Sequence, residues 1–245
     1  FKMVFNIPVI SNMVFAPFDF LVDGIYSRAD EIVAVSDEYV KRVLAVNKKC
    51  KHGLTVYLGT KAETYDIGAL GTPEYKKKDN KIFVAYCGSL AASYDVPNLM
   101  RGIKLLNDKG AERIELIVMG DGANKEKLEA LAKELKIDAV FTGRLPYDQM
   151  CAQLSECDIA VNPIRKGSAG SVINKVSDYA MAGLPVINTQ ECQEYRDLLD
   201  EYKAGINCEC ENPYEISNEP RPEQGKTLTI MYWWQNASAK VVEQN

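Results

Sequence analysis

From residue 82 to residue 189 the chain alternates short, continuous apolar runs with longer stretches in which apolar side chains recur every three or four positions. The continuous runs are Ile82–Ser89, Ile114–Gly120, Ala139–Gly143, Asp158–Ile164 and Pro185–Thr189. Such runs predict strands buried on both faces. Between them Pro97–Asn107, Lys125–Lys136, Tyr147–Glu156 and Asn174–Ala182 read as amphipathic helices, with Leu128, Leu131, Ala132 and Leu135 on one face of the second. Strands separated by whole helices cannot pair as hairpins, so the pattern predicts βαβ units. The fold class is therefore α/β: a Rossmann-like parallel sheet with helices on both faces, occupying residues 82–225.

The segment before it has a different texture. Leu21–Ala29 reads as a helix and Glu31–Ser36 as a strand. Asp37–Val46 reads as a helix capped by Ser36, with Asp37 and Glu38 in its first turn. This is the pattern of a last βα unit, and residues 1–60 are read as the C-terminal remnant of a partial second α/β domain. Residues 47–81, rich in lysine and glycine, read as a connection, with 61–81 as the linker proper. Glu211–Lys226 carries Pro213, Pro220 and Pro222 and reads as loop, and 226–245 as a C-terminal helix presenting Trp233 and Trp234. The chain opens at Phe1 in the middle of hydrophobic sequence, which suggests a fragment of a longer protein.

Composition narrows the function classes. With 245 residues, 47% of them hydrophobic, the chain has enough apolar material for a core without disulfides. A net charge of −5 supplies no basic field for a polynucleotide, so no nucleic-acid partner is expected and any phosphate affinity must be local. Cys50, Cys87, Cys151, Cys157, Cys192, Cys208 and Cys210 are scattered without a Cys-x-x-Cys, and His52 is the sole histidine. That spacing fits reduced thiols of a cytoplasmic protein and no metal site. Cys208 and Cys210 alternate as strand residues would. The apolar stretch Met3–Val22 is broken by Asn6, Pro8, Asn12, Pro17 and Asp19, so it reads as neither a transmembrane helix nor a signal-peptide core.

In an open parallel sheet ligands bind beyond the carboxyl ends of the strands. The residues there are Gly88-Ser89, Gly120-Asp121-Gly122, Thr142-Gly143-Arg144, Asn162–Ser171 and Asn188-Thr189-Gln190. Any single glycine in this set is also explained by loop sterics alone. Gly120-Asp121-Gly122 fails as a dinucleotide fingerprint: Lys125 holds the third glycine's place, and the next strand ends in Phe141-Thr142-Gly143 rather than in an acid. The stretch Pro163–Ile187 says more. A small-residue loop through Ser171 and Val172 runs into a helix whose free N–H groups and dipole suit a phosphate. Lys175 places a cation in its first turn, and Asp178 lies three residues after Lys175 and four after Asn174, so the three share a face. A carboxylate there accepts hydrogen bonds from a ribose diol while Lys175 meets a diphosphate. The alternative is an ordinary i,i+3 ion pair, worth about 0.2–0.5 kcal/mol.

Read in order, these pieces resemble the retaining, nucleotide-sugar-dependent glycosyltransferases of family four, which have the GT-B fold. Ala29-Asp30 through Ser36 is similar to the end of that family's N-terminal domain. Tyr86-Cys87-Gly88-Ser89-Leu90 is similar to the opening strand and loop of its donor domain. Val118–Gly122, Val140–Leu145 and Cys157–Pro163 follow in family order, and Asn174-Lys175-Val176-Ser177-Asp178-Tyr179-Ala180-Met181-Ala182-Gly183-Leu184-Pro185-Val186-Ile187 is the most specific piece. The resemblance implies that Asp178 stands for the second glutamate of the Glu-x7-Glu motif, which binds the ribose. Gly170 stands where the first glutamate would be. The arginine and lysine of the family's first donor-domain loop are missing from Gly88–Tyr94, which leaves Lys175 as their substitute.

The implied activity is transfer of a sugar from a nucleoside-diphosphate donor, of UDP or GDP type, to a sugar, lipid-linked or polysaccharide acceptor. Lys175 and Asp178 are the implied catalytic pair, and Gly88, Ser89, Gly120, Asp121, Gly143, Arg144, Ser171, Val172 and Asn174 the implied donor contacts. Arg165 is a further candidate for the diphosphate. The chain has no Asp-x-Asp, so no metal and no cofactor beyond the donor are expected. The Asn-Lys variant resembles the subset that builds bacterial surface polysaccharide, which implies a cytoplasmic enzyme at the inner face of the membrane, with peripheral association through the N-terminal domain. A fragment without the full N-terminal domain is expected to be inactive. Two alternatives stay open: a non-catalytic nucleotide-binding or regulatory module, suggested by the missing glutamate and arginine, and a UDP-sugar epimerase of the same fold.

Overall fold

A computed structural model of the chain describes residues 8–110, 114–168 and 171–213. Gly170 and the expected helix over 226–245, with Trp233 and Trp234, lie outside the described residues. Packing divides the chain into two compact units, Phe1–Tyr57 and Leu58–Asn245.

The first unit runs α1 (Pro8–Tyr26), β1 (Val33–Ala34), α2 (Asp37–Val46) and β2 (Leu54–Thr55). β1 and β2 pair in parallel around the α2 crossover, Val33 opposite Leu54. The helix expected over Leu21–Ala29 is the end of a longer one. Among the described residues it runs from Pro8 to Tyr26 and accommodates Pro17 internally. Ser36 does occupy the cap position of α2, but its hydroxyl makes no capping bond; its carbonyl instead accepts from the Tyr39 and Val40 N–H groups. Buried Asn47 closes the unit, its amide donating to the carbonyls of Tyr26 and Ala29 while its Oδ1 accepts from Lys49 and Cys50 N–H.

The second unit is α3 (Ala62–Ala69), β3 (Ile82–Cys87), α4 (Val96–Asp108), β4 (Ile114–Met119), α5 (Lys125–Leu135), β5 (Asp138–Gly143), α6 (Tyr147–Ser155), β6 (Ile159–Asn162), α7 (Lys175–Met181), β7 (Val186–Asn188), α8 (Gln193–Tyr202) and β8 (Gly205–Asn207). The strands lie in the order β5-β4-β3-β6-β7-β8, all neighbours parallel. This is the doubly wound Rossmann order. The burial of each strand follows its place: β4 and β6 are buried along their length and β3 nearly so, while edge strands β5 and β8 are half-exposed. Val84, Tyr86, Leu99, Met100, Ile103, Leu116, Val118 and Leu128 form the centre of one core face.

Two departures from the sequence reading matter. Part of the expected linker is helix α3, which packs on α6: Tyr65 is buried, and a Cβ on Gly68 would meet the Cys151 Cβ at 3.0 Å. After it, the Tyr75 backbone and the buried Gln153 amide bond reciprocally, at 2.7 and 2.9 Å. The sheet also gains α8 and β8, and Cys208 and Cys210 follow β8 rather than forming a strand. Among the described residues no disulfide forms, and five of the seven cysteines are buried. Among the described residues no helix is long and apolar enough to cross a membrane.

Candidate functional site

The site grows out of the point where the winding of the sheet reverses. β3 pairs with β4 along its whole length but with β6 only at Val84↔Ile159 and Ala85↔Ala160. Beyond Ala85 the two strands part, and Tyr179 from α7 fills the gap. Its hydroxyl accepts from Cys87 N–H at 2.8 Å and donates to the Val161 carbonyl at 3.2 Å, so both buried backbone groups are satisfied where the ladder has stopped. A crevice at such a reversal is where ligands bind in open α/β sheets.

A cleft of about 780 Å³ opens there, lined by Cys87, Gly88, Ser89, Gly120, Asp121, Gly122 and Arg144 among others. Five of the implied donor contacts, Gly88, Ser89, Gly120, Asp121 and Arg144, thus meet in one cavity. Gly120 and Gly122, however, answer first to sterics. A Cβ on Gly120 would fall 1.8 Å from the Gly88 carbonyl oxygen, and one on Gly122 would fall 2.9 Å from the Leu90 backbone. The turns after β3 and β4 lie against each other, joined by Gly88 N–H to Met119 O and Leu90 N–H to Asp121 O, both at 2.9 Å. Gly143 has φ +76° and faces Lys125 Nζ, which a Cβ there would approach to 3.6 Å.

Lys175 is the most unusual group in the site. Half-buried as a residue, it has its Nζ sealed from solvent with no hydrogen-bond partner among the described residues. The amine lies between two aromatic rings, 4.3 Å from the Tyr86 centroid and 4.1 Å from that of Tyr94, and beside Gly88, where a Cβ would come within 3.3 Å of it. The rings meet edge-on at 70°, and Tyr86 is pinned by its hydroxyl donating to the Ser89 carbonyl at 2.6 Å. Burial without a counter-charge lowers the Lys175 pKa from its ordinary value to about 7; the Cys87 thiol opposes that shift. Cation–π attraction offsets part of the desolvation but supplies no acceptor for three N–H bonds.

Asp178 does not share this environment. Asn174, Ser177 and Asp178 line a second cavity of about 420 Å³ with Thr60, Lys61 and Tyr147. Asp178 Oδ1 accepts the Thr60 hydroxyl at 2.9 Å and the Tyr147 hydroxyl at 3.0 Å. Burial raises its pKa, and these two bonds pull it back down. The expected common face of Asn174, Lys175 and Asp178 is therefore split, with Lys175 turned away from the other two. The i,i+3 ion pair does not form either, since Lys175 Nζ bonds to nothing among the described residues. The two environments adjoin at Cys87, whose thiol feels both charges and is itself pushed up to about 12 by burial.

Other expectations shift for identifiable reasons. The helix runs Lys175–Met181, close to the expected Asn174–Ala182, so Ser171 and Val172 precede it. Val172 is buried, and the Ser171 carbonyl is taken by the Gln190 amide at 2.6 Å. Neither residue lines either cavity. Gln190 belongs to a buried amide cluster at the strand ends, in which Asn162 Nδ2 donates to Asn188 Oδ1 and Gln190 Oε1. Arg165 lies 3.8 Å from Asp95 and lines a separate groove between α4 and α5. Sequence reasoning missed Tyr86, Tyr94, Thr60, Tyr147 and Tyr179; they act through contacts across the sheet, which no local spacing announces. Among the described residues no cluster of three His, Cys, Asp or Glu is arranged for a metal ion.

Comparison with known proteins gives this geometry a context. The chain is 25% identical over 193 residues to the uncharacterized glycosyltransferase MJ1069 of Methanocaldococcus jannaschii, covering 78% of this chain and 48% of that one. It therefore spans about half the length of that relative. Its fold is similar to that of Anabaena Alr3699/HepE, solved in complex with UDP and glucose: TM-score 0.70, 13% identity, 91% of this chain and 65% of that one. It is also similar to WaaG, a glycosyltransferase involved in lipopolysaccharide biosynthesis: TM-score 0.59, 18% identity, 85% of this chain and 57% of that one. The α/β fold with its parallel sheet is that of the GT-B glycosyltransferases. Residues 72–219, more than half of the chain, match the family of glycosyl transferases group 1, and the chain belongs to that family.

Proposed function

We propose that this chain supplies the donor-nucleotide side of a retaining, nucleotide-sugar-dependent glycosyltransferase of family four. The observation that carries the reading is the buried Lys175 amine, without a hydrogen-bond partner among the described residues, beside Gly88, which lines the cleft where the sheet reverses. A donor diphosphate laid over Gly88 and Ser89 meets this amine. Arg144 stands at the cleft rim and Lys125 beside Gly143. Asp178 holds the ribose: both of its described hydrogen bonds fall on Oδ1, which leaves Oδ2 for a ribose hydroxyl. That Anabaena Alr3699/HepE was solved with UDP supports a uridine donor.

The chemistry follows from where charge develops. As the bond from the anomeric carbon to the diphosphate breaks and an acceptor hydroxyl takes its place, negative charge collects on the departing phosphate. A cation held beside the phosphate as the bond breaks stabilises that charge more than it stabilises the intact donor. Lys175, once charged, is such a group. The acceptor is a sugar, lipid-linked or polysaccharide chain. The involvement of WaaG in lipopolysaccharide biosynthesis supports surface polysaccharide as the product class, built on the cytoplasmic side of the membrane. Titration of the chain with UDP, GDP and ADP tests the reading. Saturable binding of one of them is expected, and failure of all three to bind overturns it.

A further inference from the structure

We propose that the donor enters this site together with a proton: Lys175 rests as a neutral amine between Tyr86 and Tyr94 and is charged from solvent as a diphosphate arrives. This rests on the donor reading above, and it adds what that reading does not contain, a linkage between donor affinity and pH.

The geometry carries it. An ammonium has three N–H donors and no acceptor capacity, and a buried one left without partners is costly. Lys175 Nζ has neither solvent nor a hydrogen-bond acceptor among the described residues. The groups facing it confirm the isolation. From β3 come the Tyr86 ring, whose hydroxyl is committed to Ser89, and the Cys87 thiol, held neutral by burial. From the loop before α4 comes the Tyr94 ring. On its own helix, Asp178 is committed to Thr60 and Tyr147. Among the described residues no carboxylate neutralises the amine. Two ring faces make the charge tolerable without making it favourable, so protonation is decided by what enters the cleft. A diphosphate above Gly88 provides the missing acceptors and the missing counter-charge, and the amine then takes up the proton it lacked. Burial has already brought its pKa down to about 7, inside the range where this linkage is readable. Tyr94 is on this account a positioning residue: it touches the amine rather than the donor, and keeps water from it.

The test is calorimetric titration of the chain with UDP-glucose, UDP-N-acetylglucosamine, GDP-mannose and ADP-glucose, each in two buffers of different ionisation enthalpy at pH 6 and pH 8. An intact nucleotide sugar is the right probe because its diphosphate lacks the terminal phosphate that titrates near pH 6. For the donor that binds, uptake approaching one proton is expected at pH 8 and little at pH 6, with affinity falling about tenfold per pH unit above pH 7. Lys175→Met removes the uptake. Tyr94→Phe keeps it, and Tyr94→Leu reduces it by admitting water to the amine while changing affinity at pH 6 far less. If the Tyr94→Leu protein does not fold, the wild-type and Lys175→Met pair still decides the matter. Binding without proton uptake at pH 8 overturns this inference and leaves the donor reading standing. Failure of all four probes to bind overturns the donor reading itself.

Discussion

Lys175 and Asp178 lie three residues apart in α7 yet face different surroundings: Lys175 Nζ is 4.1 Å from the Tyr94 ring centroid, while Asp178 accepts the hydroxyls of Thr60 and Tyr147. The amine and the carboxylate therefore do not neutralise each other. On the function proposed above, Lys175 would meet the diphosphate and Asp178 the ribose of one extended ligand.

If Asp178 holds the ribose, it confers a preference for a ribonucleotide over its 2′-deoxy counterpart. Hydrogen bonds to a charged group contribute about 1.5–3 kcal/mol, so wild type is expected to favour UDP over 2′-deoxy-UDP by about tenfold or more. Asp178→Asn should flatten that preference without abolishing binding. Equal affinities of the wild-type protein for the two nucleotides would contradict the assignment.

Tyr179 makes a separate prediction, about stability. Tyr179→Phe preserves the ring and removes the hydroxyl that joins Cys87 N–H to the Val161 carbonyl. Two buried backbone groups lose their partner at once, so a loss of about 1–3 kcal/mol is expected in denaturant unfolding. An unchanged midpoint would mean that the parting of β3 and β6 is satisfied in another way.

The low pKa of Lys175 links stability to pH with a definite sign. The unfolded chain holds the lysine proton up to its ordinary value of 10.5, whereas the folded protein releases it near 7. Between those values the unfolded state binds more protons, so stability rises with pH, by up to about 1.4 kcal/mol per pH unit. The comparison is read between pH 7 and 8.5. Lys175→Met should lose this slope and, at pH 6, unfold about 1–3 kcal/mol later than wild type, because a buried unpaired charge has been replaced by an apolar chain of similar length. Parallel stability curves for the two proteins would show that the amine is not the titrating group.

Much of the fold is legible in the order of residues, and the reasons are local. β3, β4 and β6 are buried on both faces, so their continuous apolar runs have one reading, and α5 exposes one polar face, so its periodicity is plain. α3 and α8 escaped notice because their signals are weak: α3 sits in a lysine- and glycine-rich stretch, and α8, Gln193–Tyr202, buries just Tyr195, Leu198 and Leu199 on a charged background. In the site, Lys175 and Asp178 were legible from their place after a glycine-rich loop. Their separation was not. It depends on Tyr86 and Tyr94 reaching Lys175 from the β3 strand and its loop, and on Thr60, more than a hundred residues earlier, reaching Asp178.

The assignment of Lys175 to the donor diphosphate is tested most directly by one comparison of affinities. Dissociation constants for the nucleoside diphosphate that binds and for its parent nucleoside are measured at pH 6.5, where the amine can be charged, in wild type and Lys175→Met. Loss of a charge-assisted contact should weaken the diphosphate by about 10- to 100-fold and leave the nucleoside unchanged. An equal loss for both ligands, or no loss for either, would contradict the account.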